Sequence, residues 1–137
     1  MTAADDTAID TERYRMQVTV ESEYLPDQSD EDGQRWVFAY HIRILNRGAV
    51  TARLLTRHWV ITDGDERVQE VHGEGVIGEQ PHIAPGQTFR YTSGAPLSTP
   101  SGFMSGSYEM RREGGDSFAA IIPDFPLDRP YDRLSLH

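Results

Sequence analysis

From residue 14 the chain alternates. Tyr14, Met16, Val18, Val20, Ser22 and Tyr24 fall on one side of a period of two, and Arg15, Gln17, Thr19, Glu21 and Glu23 on the other. That is the pattern of a strand half buried against a core. Pro26 closes it. A second strand is predicted over 35–46, with Trp36, Phe38, Tyr40, Ile42 and Ile44 as the bulky face and Val37, Ala39, His41, Arg43 and Leu45 as a mixed one. Asn46-Arg47-Gly48 reads as a turn. A third strand over 51–62 sets Leu55, Arg57, Trp59 and Ile61 against Leu54, Thr56, His58 and Val60. Asp63-Gly64 is the strongest hairpin signal in the chain. Further strands are expected over 66–72 and 88–93 and around Met104, Gly106, Tyr108 and Met110. Glu113-Gly114-Gly115-Asp116 reads as a hairpin loop, and Phe118, Ala120 and Ile122 as the start of a last strand that stops before Pro123. Residues 94–101 read as a proline-containing connection, and 124–137 as an extended tail tied down in part by Phe125 and Leu127.

No window sustains the i, i+3, i+4, i+7 pattern of a helix. About seven short strands with turn signals between them predict an all-β fold, an antiparallel β-sandwich with Greek-key connections. Its inward faces are expected to include Val18, Val20, Trp36, Phe38, Tyr40, Ile42, Trp59, Ile61, Phe89, Tyr108 and Ile122. One domain, residues 13–127, is flanked by an acidic stretch over 1–12, expected to be disordered, and by a C-terminal tail over 128–137.

A chain of 137 residues and 15.5 kDa suits a single domain with a real core. Charge narrows the partners. Thirteen Lys and Arg against 22 Asp and Glu give a net charge of −9, and a negative field repels phosphate backbones, so nucleic acid is not an expected partner. The chain has no cysteine, which excludes disulfides and thiol chemistry and fits a reducing compartment. The opening Met1-Thr2-Ala3-Ala4-Asp5-Asp6 lacks the basic and apolar regions of a signal peptide. No apolar run is long enough for a membrane span, so the expectation is a cytoplasmic chain with no membrane insertion.

The glycines at 73, 75 and 78 have G-x-G-x-x-G spacing. A dinucleotide site needs a helix after them. Pro81, Pro85 and Gly86 forbid it. The segment therefore reads as a loop between strands, its glycines supplying positive φ or close backbone approach. A backbone nest for a small anion needs no helix, but tight nucleotide binding is not expected. His72, Gly73, Glu74, Gly75, Gly78, Gln80, Pro81 and His82 make up the candidate binding loop.

Catalytic chemistry is absent from the pattern. Gly102-Phe103-Met104-Ser105-Gly106 has its serine one place too late for a nucleophile elbow. His72-x-Glu74 lacks the downstream cysteines of a zinc deaminase. The histidines show no H-x-x-x-H spacing. His41 and His58 read as side chains on mixed strand faces, and His72 and His82, beside the glycine loop, as slightly better ligand candidates. The acidic loop offers Asp27, Asp30 and Asp32 as weak candidates for Mg²⁺ or Ca²⁺, without EF-hand spacing. A solvated charge run is the preferred reading there. No catalytic residue and no cofactor are expected.

Several motifs carry a resemblance to a family. These are Asn46-x-Gly48, Arg57-His58-Trp59-x-Ile61-Thr62-Asp63, Gly73-x-Gly75-Val76-Ile77-Gly78-x-Gln80-Pro81, Pro85-Gly86, Phe89-x-Tyr91-x-Ser93-Gly94, Thr99-Pro100-x-Gly102, Met104-x-Gly106-x-Tyr108-x-Met110 and Ile122-Pro123. Over about Tyr14 to Leu127 the chain resembles the bacterial ApaG family. The resemblance implies a fibronectin-III-like or immunoglobulin-like sandwich and an association with cobalt and magnesium resistance or efflux. Eukaryotic relatives carry a similar domain as an interaction module in F-box proteins and in a DNA-polymerase-interacting protein. The family offers no settled catalytic residues to transfer. The expected function is therefore a non-enzymatic module that recognises a protein partner through its loops or a sheet edge. The alternative is weak binding of phosphate, nucleotide or a divalent metal at loop 73–78.

Overall fold

Among the described residues the alternation becomes eight strands: β1 (Met16–Tyr24), β2 (Trp36–Asn46), β3 (Ala52–Asp63), β4 (Val68–Glu74), β5 (His82–Ile83), β6 (Thr88–Leu97), β7 (Ser101–Arg112) and β8 (Ser117–Asp128). In this computed structural model, residues 15–130 are described. The expected acidic tail over 1–12, Tyr14 and positions 131–137 lie outside them. One sheet has the order β1-β2-β6. The other has β4-β3-β7-β8, with β5 pairing beside β4 on β3. Every pairing is antiparallel, and the two sheets form a fibronectin-III-like sandwich. No helix among the described residues is long and apolar enough to cross a membrane.

The strand count exceeds the expected seven because β5 has only two residues, too few for alternation to be read. Two boundaries move for the same kind of reason. Residues 94–101, expected as a connection, belong mostly to β6 and β7. Pro96 is accommodated because β6 is a sheet edge, where a missing N–H costs no ladder bond. The strand expected to stop before Pro123 continues to Asp128 through a bulge. Ser105 alone on β7 faces both Pro123 and Asp124 between the pairs Met104↔Phe125 and Gly106↔Ile122.

A second bulge corrects the reading of β3. Register shifts between Leu54↔Met110 and Thr56↔Glu109, leaving Leu55 as the extra residue. Ala52 and Leu54 face the core on one side of it and Trp59 on the other. Leu54 thus shares a face with Trp59 rather than opposing it. All eleven residues expected inside are core or pack against it, with Val20, Trp36, Ile61 and Phe89 only half buried.

The centre of the sandwich is aromatic. Trp59 meets Tyr40, Tyr108 and Phe125 in edge-on contacts, with centroids 5.2, 6.3 and 5.9 Å apart. Tyr91 of β6 and Tyr108 of β7 join the two sheets by a hydroxyl–hydroxyl hydrogen bond. At the rim, buried Asn46 accepts from the Gly48 N–H at 2.8 Å and donates to the Val50 and Ile83 carbonyls at 2.9 and 2.8 Å. The expected turn is therefore also the clasp that holds β5.

Burial raises the pKa of both Tyr91 and Tyr108 well above the ordinary phenol value of 10.0. A pKa raised on folding contributes stability that is complete below the unfolded value and is lost as pH climbs toward the folded one. Stability should therefore hold up to about pH 10 and then fall, by about 1.4 kcal/mol per buried tyrosine at about pH 11. Urea unfolding across that range checks this. In Tyr108→Phe the alkaline loss should be visibly smaller.

Candidate functional site

The glycine loop is built onto the β3 bulge. The Leu55 carbonyl accepts from the Gly75 N–H and from Gln80 Nε2, both at 2.8 Å. Arg57, two residues on, lays its guanidinium over Gly73 and donates from Nη1 to the Glu74 and Gly75 carbonyls at 3.0 and 2.9 Å. A side chain at 73 would place its Cβ 2.6 Å from that guanidinium, so this glycine serves close approach. Gly75 has φ +63° and Gly78 +79°, so these serve positive φ. Arg53 donates to the Gln80 carbonyl and to its Oε1 at 3.2 and 3.3 Å, and the Leu54 N–H donates to the Pro81 carbonyl at 3.0 Å. Val76 is 1% exposed and plugs the loop into the core.

At the tip, Val76 and Glu79 exchange N–H···O bonds of 2.8 and 2.9 Å around Ile77 and Gly78. Both central residues have positive φ, 43° and 79°, as a type I′ turn requires. No helix follows, as expected. Ile77 stands out to solvent, 57% exposed. Glu74 is exposed on β4 opposite Thr56. His82 is exposed on β5 opposite Arg53.

His72 has a different setting. It pairs with His58 across β4 and β3, and the two rings stack with centroids 4.1 Å apart and 8° between planes. Glu70, two residues back and so on the same face, brings its carboxylate oxygens to 3.8 Å from His58 Nε2 and 4.0 Å from His72 Nε2. His58 Nε2 is buried with no hydrogen-bond partner. The sequence placed His58 among ordinary strand side chains because nothing local links it to His72. The link is the hairpin register. Asp63-Gly64 does mark a hairpin, but not a two-residue one. The Asp63 N–H donates to the Arg67 carbonyl and Glu66 takes φ +66°, giving a three-residue loop with a left-handed closing residue. That length sets His58 opposite His72. His41 instead bonds Thr92 Oγ1 and Glu23 Oε1 at 2.7 and 3.0 Å, as a satisfied strand side chain.

The acidic loop does not converge. Asp27 lies in a single 3-10 turn, Pro26–Gln28, and Asp30 Oδ1 accepts from the Gly33 N–H at 3.1 Å. Among the described residues, Asp27, Asp30 and Asp32 form no group of three ligand atoms, whereas His58, Glu70 and His72 do. Glu31 serves the fold: it accepts from Arg129 Nε at 2.9 Å and from the Tyr24 hydroxyl at 2.6 Å. These bonds hold its carboxyl below the usual range.

Residues 26–112 match the ApaG domain. The chain is 60% identical over 122 residues to the Protein ApaG of Maricaulis maris, covering 89% of this chain and 94% of that one. It is 56% identical over 121 residues to the Protein ApaG of Aromatoleum aromaticum, covering 88% and 95%. A crystal structure of a Bordetella pertussis protein named ApaA aligns at a TM-score of 0.82 with 51% identity, covering 85% and 95%.

Proposed function

The chain belongs to the ApaG family, and we propose that it is a non-enzymatic interaction module that docks a protein partner on the tip of its glycine hairpin. Its part in cobalt and magnesium resistance or efflux, which the family resemblance implies, would run through that partner. The observation that supports this reading is Ile77. A β-branched residue in the left-handed region is strained, and leaving it in water recovers none of that cost. Asn-Gly is the favoured pair for such a turn. An isoleucine there is bad for the fold alone and good for seating in an apolar pocket. The base beneath it is rigid, held by Leu55, Arg57 and Gln80, so little ordering cost falls on binding. A small-anion site has less support. Arg53 and Arg57 are engaged with loop carbonyls, and Glu74 and Glu79 flank the turn.

Ile77→Asn tests this directly. The variant should be more stable by about 1 kcal/mol, because asparagine tolerates the left-handed region. It should also release the protein that the wild type retains in affinity capture from the native organism. A partner held equally by both would sink the proposal.

A further inference from the structure

We propose that His58, Glu70 and His72 form a site for one divalent transition-metal ion on the outer face of the five-stranded sheet. Alternation on β4 puts Glu70 and His72 on one face, and the hairpin register brings His58 beside them. One ligand atom from each of the three residues lies within 4.8 Å of the other two. Two donors on one tetrahedral ion, with bonds of about 2.0–2.1 Å, sit about 3.3 Å apart. Closing on an ion therefore takes a tilt of His72, whose side chain is 68% exposed and free to make it. A metal would give His58 Nε2, which is buried and has no hydrogen-bond partner, the bond that a buried polar atom otherwise lacks.

The donor set decides the class of ion. Two imidazoles and one carboxylate suit Zn²⁺, Co²⁺, Ni²⁺ or Cu²⁺, whereas Mg²⁺ and Ca²⁺ want oxygen alone. β4 is a sheet edge, and a depression of about 330 Å³ lined by Thr56, Ser107 and Glu109 opens beside the two rings. This site is independent of the Ile77 docking reading, since the purified chain would bind the ion alone.

The test is a calorimetric titration of the full chain with Zn²⁺, with and without a large excess of Mg²⁺. One ion per chain at micromolar affinity or tighter, unmoved by Mg²⁺, is the expected result. His72→Ala and Glu70→Gln, both at exposed positions that leave the core intact, should each weaken it about tenfold or more. His82→Ala, away from the cluster, should not. On adding Zn²⁺, the imidazole nitrogen resonances of His58 and His72 should shift. Absence of binding, loss of less than tenfold in both variants, or displacement by Mg²⁺ would overturn the proposal.

Discussion

Trp59→Ala should lose about 3–5 kcal/mol of stability, the range for truncating a buried large aromatic. Trp59 is 2% exposed at the centre of β3. It is the common neighbour of Tyr40, Tyr108 and Phe125, so its removal leaves a cavity bounded by both sheets. Local rearrangement cannot refill that space, because Gly106, directly across the ladder, has no side chain to offer. A Cβ there would run into the His58 carbonyl and lie 3.0 Å from the indole, so only glycine fits between the β3 backbone and the tryptophan. Domains of this size hold about 5–15 kcal/mol in total, so the variant should be only marginally folded. Urea unfolding followed by far-UV circular dichroism measures the loss without relying on indole fluorescence. A change within about 0.5 kcal/mol, the range of surface substitutions, would mean that Trp59 is not a core residue.

Gly75→Val should be nearly as damaging, for a different reason. Its φ of +63° excludes a β-branched residue without strain of about 1–3 kcal/mol. In addition, the new Cβ would run into the Glu79 carbonyl and lie 3.2 Å from the Gln80 side chain. Those groups close the turn and anchor it to Leu55, so relieving the clash costs the Gly75 and Gln80 bonds and loosens Val76. A fall of about 3 kcal/mol, or about 10 °C in Tm, is expected. Gly78→Ala is the control: φ is +79° but nothing lies within 4 Å of its Cβ, so only strain of about 1 kcal/mol applies. Equal Tm values for Gly75→Val and the parent would show that the loop is not built into the fold. ATP titrated into the wild type should give a Kd weaker than about 1 mM. Micromolar binding abolished by Gly75→Val would restore a nucleotide role to the loop.

Much of the fold was legible locally. The period-two runs identified the strands and the core residues on them, and the prolines after Gly78 removed the nucleotide reading by forbidding a helix. The turns at Asn46 and Glu113 carried residues suited to their conformations. Where an inward or outward face was misassigned, a single extra residue was responsible. Leu55 and the pair Pro123-Asp124 each add one residue to one strand, and one extra residue exchanges the inward and outward faces of everything beyond it. No alternation pattern announces this, because each half still alternates correctly. β5 escaped notice because two residues have no period.

The candidate metal cluster was hidden for a related reason. His58 and His72 are far apart in sequence, and only the register of the Asp63–Arg67 loop makes them neighbours. A two-residue Asp63-Gly64 turn would have set Gln69, not His72, opposite His58. The amino-acid sequence by itself determined the class of fold, the inward faces and the absence of a helix behind the glycines, since these follow from local sterics and burial preference. The tertiary structure alone decided which strands pair, in what register, and which polar side chains share a face, because those depend on backbone hydrogen bonds between segments that carry no mark of each other.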